Sequence, residues 1–153
     1  MATRSMIGKQ QEDGTIKAIY CHYDGYPEGV GQTLANYYQA SDKVNDLLNL
    51  GDLSVLSQEI GGKQNFDKPT SETWCLAYGR DRGEEGTEAK EFTYTGAYLE
   101  YARNSCAEFA YIFTSKGWSY WSLSTPEPTL IPPFGFELTE DGLLLKTDRQ
   151  DTK

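Results

Sequence analysis

A β-strand that runs directly into a tight turn and a helix constrains the fold of this chain more than any other feature. In the segment "IKAIYCHYDGYPEGVGQTL", residues 16–34, apolar side chains occupy both faces of the first part, which is typical of a central strand. Pro27 suits the first turn of a helix, because its missing N–H would be unpaired there in any case. Val30, Leu34 and Tyr37 then recur at helical spacing. We therefore expect a helix packed closely against a sheet.

Local signals predict the remaining elements. Asp13-Gly14 between two β-prone runs predicts a hairpin over residues 5–23, because glycine readily adopts the positive φ that the turn needs. Helices are predicted from Ser41, ending at Gly51, and from Thr95, each with an apolar face. Residues 52–62 predict a further helical turn, residues 73–79 a strand, residues 80–91 a charged loop and residues 108–123 a second hairpin.

Together these elements predict an α+β domain over residues 1–123. We expect an antiparallel sheet of four to five strands with helices packed on one face. Residues 124–153 contain most of the prolines, which helix interiors and central strands do not tolerate. This composition predicts a proline-rich C-terminal arm followed by a solvated tail.

The charge and composition limit the classes of partner. A net charge of −9 argues against direct binding to nucleic acid, which needs a basic face. Three possibilities remain with this charge: a basic protein partner, a small ligand in a local pocket, or no charged partner. No apolar run approaches the ~18 residues of a membrane span, and the N-terminal residues lack a secretory apolar region. With three cysteines in apolar surroundings, we expect reduced thiols in a cytoplasmic protein that contacts no membrane.

The corner between the predicted strand and helix is the first candidate site. His22 and Asp24 lie at the strand end, and Gly25, Gly29 and Gly31 would let a ligand approach the free N–H groups of the helix. This arrangement predicts binding of an anion or phosphate. The same residues equally fit a tight turn and close packing without a ligand, because their spacing matches no dinucleotide-binding or P-loop motif.

Arg80 and Arg82 form the second candidate, in the glycine-punctuated acidic segment "YGRDRGEEG". Two neighbouring guanidinium groups predict binding of a carboxylate or phosphate, and they converge with His22 if the loop folds over the corner. The alternative is pairing with nearby carboxylates on a solvated loop, where each pair contributes only about 0–1 kcal/mol.

Aromatic residues form the third candidate. Trp118, Tyr120 and Trp121 predict either an exposed interface or part of the core. The sequence offers no set of catalytic residues, because it has a single histidine and no Gly-x-Ser-x-Gly or His-Glu-x-x-His motif. It also lacks metal-ligand spacing and a cofactor motif, so we expect neither a metal nor a cofactor.

The stretches "IYCHYDGYPEGVGQTL" and "YGRDRGEEGTEAKEF" resemble a family of small phage- and prophage-encoded proteins that carry a similar "YCH-x-DGYPEGVG" strand and a similar charged loop. The resemblance covers about residues 5–123. It implies a virus-encoded protein that works inside a bacterial cell, and it implies no catalytic residue.

These observations favour a non-enzymatic accessory protein that binds and modulates a host protein. The first alternative is a binder or enzyme for a nucleotide-like anionic ligand at the corner and the arginine pair. The second is a DNA mimic that inhibits a host nuclease, which requires a contiguous stripe of acidic residues.

Overall fold

The computed structural model describes residues 2–123 together with the backbone of residues 129–131. Within this part of the chain, one sheet contains eight strands: β1 (Ser5–Gln10), β2 (Ile16–Cys21), β3 (Leu53–Val55), β4 (Leu76–Ala77), β5 (Lys90–Phe92), β6 (Phe109–Thr114), β7 (Gly117–Ser122) and β8 (Thr129–Ile131). The helices are α1 (Gln32–Tyr37), α2 (Ser41–Leu50), α3 (Tyr78–Arg82) and α4 (Thr95–Asn104), and a π-helical turn, Pro27–Gly31, leads into α1.

Both predicted hairpins are present, and the α+β class is confirmed, but the sheet is mixed. The strand order is β4-β3-β2-β1-β6-β7-β8, with β5 also paired to β2. β1 and β2 are antiparallel, as are β6 and β7, whereas β1 pairs parallel with β6 and β2 pairs parallel with β3. The prediction of a purely antiparallel sheet of four to five strands was wrong. Helices α1 and α2 connect β2 to β3. Because the chain crosses over through these helices, β3 runs in the same direction as β2.

Helices cover both faces of the sheet, so the predicted single helical face was also wrong. One core joins α1 and α2 to the face that carries Ile7, Ile19 and Tyr111. The second core places α4 against the opposite face, where Met6 and Ala110 lie. Strand β2 contributes buried residues to both cores, which confirms its central position.

Three segments differ from the predictions. Strand β5 forms at the end of the predicted charged loop and pairs with β2. Residues 53–55 form strand β3, not a helical turn, because Leu53 pairs with Cys21 at the end of β2 and is fully buried. Residues 78–82 form the short helix α3, where the end of a strand and the start of a loop were predicted. Gly83 ends α3 with a φ of 77°, the left-handed conformation that glycine adopts most easily.

Buried tyrosines connect the layers through their hydroxyl groups. Tyr98 of α4 donates to the carbonyl of Tyr111 at 2.9 Å, and Tyr111 donates from the opposite face to the carbonyl of Gly25 at 2.8 Å. Tyr38, after α1, donates to the carbonyl of Ser57 at 2.7 Å. A buried tyrosine adds apolar area and satisfies its polar group at the same time, which accounts for part of the high tyrosine content.

The predicted proline-rich arm and tail, residues 124–153, lie outside the described residues, except for the backbone of β8, which pairs with β7. The boundary of the predicted domain at residue 123 stays a prediction.

Candidate functional site

Close packing within the chain explains why the corner has a glycine at position 25. β2 ends at Cys21, and the chain turns at Asp24, whose φ is 59°. The amide of Gly25 then donates to the carbonyl of Thr3 at 2.8 Å. A Cβ at Gly25 would lie 2.7 Å from both this oxygen and the Cβ of Ser5, so the close approach of the segment before β1 requires glycine here.

Neighbouring atoms also leave no space for a side chain at the other two glycines of the corner. A Cβ at Gly29 would collide with the carbonyl oxygen of Asp24. A Cβ at Gly31 would lie 3.2 Å from the ring and the hydroxyl oxygen of Tyr111. The side chain of Tyr111 therefore occupies the place beside Gly31 that the sequence left open for a ligand. Packing alone accounts for all three glycines.

Arg80 is bound within the chain. Its Nε and Nη2 donate to the carboxylate of Asp81 at 2.9 and 3.1 Å. Nη1 donates to the carbonyls of Ile60 and Gly61 at 2.8 and 3.2 Å, and Nη2 donates to the carbonyl of Cys75 at 2.8 Å. These bonds engage all the N–H groups of a guanidinium. Arg80 thus ties the loop before β4 to α3 and keeps no donor for a ligand.

Asp81 completes this buried polar cluster. It also accepts hydrogen bonds from the amides of Gln64 and Ala77, at 3.0 and 2.8 Å. Burial alone would raise the pKa of Asp81, but the bonds from Arg80 and from the two amides outweigh burial and hold the pKa below its ordinary value. The Arg80–Asp81 pair is therefore a charged structural element.

Arg82 lies apart from Arg80, on the surface. Its guanidinium packs against the rings of Phe66 and Tyr78, 4.6 and 4.8 Å from their centroids, and it forms an ion pair with Glu84. About half of its side chain is exposed. The structure therefore does not bring Arg80 and Arg82 together into the predicted pair.

His22 is half-buried beside two tyrosines. Its Nδ1 lies 2.8 Å from the hydroxyl oxygen of Tyr20, and its ring meets the ring of Tyr23 edge-on at 4.6 Å. Partial burial, followed by the charge of Arg4, lowers the pKa of His22, so the ring is neutral near pH 7. With the proton on Nε2, Tyr20 donates to Nδ1, and Nε2–H remains a donor on the other side of the ring.

Arg4 is the neighbour of His22 that sequence reasoning missed. The antiparallel register pairs Ser5 with Cys21, and continuing it by one residue places Arg4 opposite His22. Arg4 is half-buried, and its charge acts on both Tyr20 and His22. The Asp13-Gly14 pair alone does not give this register, because a two-residue turn would place Arg4 opposite Tyr23, whereas the observed turn has three residues and places Arg4 opposite His22. We refer to Arg4, Tyr20 and His22 as the arginine–histidine cluster.

The outer side of the corner carries an acidic and aromatic surface. Tyr23 and Tyr26 are 45% and 39% exposed, and Asp24 and Glu28 are exposed beside them. The hydroxyl of Tyr26 donates to Asp24 at 3.1 Å, and this bond, with the charges of the two carboxylates, raises the pKa of Tyr26. We refer to these four residues as the corner surface. Of these four residues, only Asp24 was predicted from the sequence as a site residue.

Of the predicted aromatic interface, Trp118 lies in the core, and Tyr120 and Trp121 lie at the edges of the two cores. Trp118 is 4% exposed, and its indole N–H donates to the carbonyl of Tyr38 at 2.9 Å, so it presents no interface. Tyr120 and Trp121 are half-buried and pack against the two cores from opposite faces of β7. Both residues remain partly accessible, and their role in an interface stays a prediction.

The buried cysteines and the acidic residues show no further site in the described part of the chain. Burial raises the pKa of Cys21 to about 12, and it also raises the pKa of Cys75, so both thiols stay protonated. Among residues 2–123, no group of three histidine, cysteine or carboxylate side chains could hold a metal ion. No helix in the same region is long and apolar enough to cross a membrane.

Comparison of the chain with models of protein families, with curated proteins and with solved structures finds no match.

Proposed function

We propose that this protein is a non-enzymatic docking module that binds a basic segment of a host protein through its corner surface. The observation that carries the proposal is the exposure of two tyrosine rings and two carboxylates on one short turn. Large aromatic side chains are costly to expose, and they are enriched where proteins bind each other.

The chemistry of the corner surface fits a lysine or arginine side chain. Asp24 and Glu28 supply negative charge, and Tyr23 and Tyr26 supply ring faces that attract cations. The net charge of −9 adds long-range attraction for a basic partner, which raises the rate of encounter.

The corner surface is also held rigidly. Gly25, at its centre, donates to Thr3 and accepts from the buried hydroxyl of Tyr111. Val30 donates to the carbonyl of Asp24 at 2.8 Å, which fixes the turn to the start of the helix. A surface that is already ordered loses little conformational entropy on binding.

The resemblance to phage-encoded proteins supports a viral origin and action in the cytoplasm of a bacterial host. In that setting, a small acidic protein would act by occupying a basic surface that the host protein uses for another partner.

Capture of host proteins by the immobilised chain tests the proposal, followed by calorimetry with the purified partner. The double variant Tyr26→Ala/Glu28→Gln should weaken binding by about tenfold or more, and added salt should weaken binding to the unaltered chain. Tyr94→Ala is the matched control, because Tyr94 is 63% exposed on a different part of the surface, before α4. A partner with no basic segment, or equal binding by both variants, would contradict the proposal.

A further inference from the structure

We propose that the arginine–histidine cluster binds the phosphate group of a nucleoside monophosphate. This site shares His22 with the predicted one, but it uses Arg4 in place of Arg80 and Arg82 and lies on the sheet instead of at the start of the helix. It does not depend on the proposed docking function.

The register of the sheet brings the cluster together. Met6 pairs with Tyr20 and Ser5 pairs with Cys21, so Arg4 and His22 lie across from each other in the next position. Opposed residues of antiparallel strands share a face, and alternate residues of one strand share a face as well. Arg4, Tyr20 and His22 are therefore on the same side, at the end of β2 beyond the residues that contact α4.

Arg4 contacts the hydroxyl of Tyr20 but has no carboxylate partner among the described residues. Within the described part of the chain it makes no ion pair, whereas Arg80 pairs with Asp81 and Arg82 pairs with Glu84. On its other side, the parallel register of β1 and β6 pairs Ser5 with Phe109, which places Glu108 next to Arg4. Glu108 is exposed and forms no ion pair with Arg4. A half-buried guanidinium without a carboxylate is unusual in a chain with an excess of acidic residues.

The donors of the cluster suit a phosphate. A guanidinium can hold two oxygens of a phosphate with parallel N–H bonds, and the Nε2–H of His22 can donate to a third oxygen. The contact of Nδ1 with the hydroxyl of Tyr20 holds the ring in one orientation, and with the proton on Nε2 the other side of the ring can donate to the phosphate. A dianionic phosphate would also favour protonation of His22, which strengthens the contact.

An aromatic ring beside the phosphate favours a nucleoside as the remainder of the ligand. Tyr23 lies edge-on to His22 and is 45% exposed, so its face is accessible to a planar base. Stacking of a base on an aromatic side chain is tolerant of base identity. The expected ligands are therefore nucleoside monophosphates in general, without preference for a particular base.

The single histidine of the chain provides a direct test by NMR. The Cε1–H signal of His22 is followed while adenosine monophosphate, inorganic phosphate or sodium chloride at matched ionic strength is added. We expect a saturable shift with adenosine monophosphate, a weaker one with inorganic phosphate and none that saturates with chloride. Equal affinity for adenosine monophosphate and inorganic phosphate would overturn the nucleoside part of the proposal. No saturable shift would overturn the site itself.

Matched variants separate the cluster from the rest of the surface. Arg4→Gln should weaken the binding of adenosine monophosphate at least about tenfold, since it removes the charged hydrogen bonds. Arg82→Gln should leave binding unchanged. Glu108→Gln should strengthen binding, because it removes a negative charge next to Arg4. An unaltered titration with Arg4→Gln refutes the proposal, whatever the outcome of the experiments with a host protein.

Discussion

Replacement of Arg80 distinguishes a structural arginine from a ligand-binding one. In Arg80→Ala, the carbonyls of Ile60 and Gly61 lose their donor, and the carbonyl of Cys75 keeps only the bond from the side chain of Gln64. The carboxylate of Asp81 keeps only the two backbone amides. Removing one partner of a buried ion pair costs about 3–5 kcal/mol. Because 16% of the Arg80 side chain is exposed and water can reach its place, we expect the lower end, about 3 kcal/mol.

Urea unfolding measured by tryptophan fluorescence checks this value. With a typical dependence of about 2 kcal/mol per molar urea, the midpoint should fall by about 1.5 M. Arg82→Ala is the natural control, because it removes an exposed ion pair and two ring contacts at the surface, which stabilise a fold less than a buried pair does. Its midpoint should fall by no more than about 0.5 M.

The result that refutes this reasoning is a similar midpoint for the two variants. It would mean that the hydrogen bonds of Arg80 contribute little in solution, and that Arg80 is free for another role. A large loss in Arg80→Ala would instead warn against using this variant to test ligand binding, because reduced binding could follow from partial unfolding alone.

Three further predictions concern stability. Cys106→Gly should stabilise the fold by about 0.5 kcal/mol, which thermal unfolding would show as a higher midpoint. Cys106 has a φ of 68° after α4, a conformation that costs glycine less than cysteine, and its amide and that of Ala107 donate to the last carbonyls of the helix. Ser5→Ala should leave the urea midpoint unchanged or raise it, because the buried hydroxyl of Ser5 has no hydrogen-bond partner among the residues that the structure describes. A loss above about 1 kcal/mol would indicate a bond outside this part of the chain. The lowered pKa of Asp81 contributes stability that is complete above its unfolded value of 3.8 and is lost as the pH falls through the folded pKa. Stability measured from pH 6 to pH 3 should therefore fall less steeply in Asp81→Asn than in the unaltered chain.

Elements with strong local signals could be predicted from the sequence. Asp13-Gly14 indicated the first hairpin, and the apolar face of α2, with Val44 and Leu47, indicated that helix. Strand β3 has only three residues, too few to show an alternating pattern, and its pairing with β2 joins residues far apart in the chain. Local patterns contain no information about such a pairing, so the parallel part of the sheet was missed.

The structure of the candidate sites differed from the predictions for a similar reason. The sequence indicated that the glycines of the corner needed a close neighbour, but Tyr111, which fills the space beside Gly31, follows it by eighty residues. In the same way, nothing adjacent to Arg80 indicated that its partners would include the carbonyls of Ile60 and Gly61. Charge and spacing identify residues that need a partner, whereas the long-range pairing of the chain decides which partner they have.

Two tyrosine hydrogen bonds connect the two faces of the sheet, and both involve Tyr111. Tyr98 holds the carbonyl of Tyr111, and the hydroxyl of Tyr111 holds the turn at Gly25. Fraying of α4 would loosen a strand that anchors the opposite layer, so neither layer can open without disturbing the other. We therefore expect amide exchange at the turn and at α4 to proceed through a shared cooperative opening, although the two lie on opposite sides of the molecule.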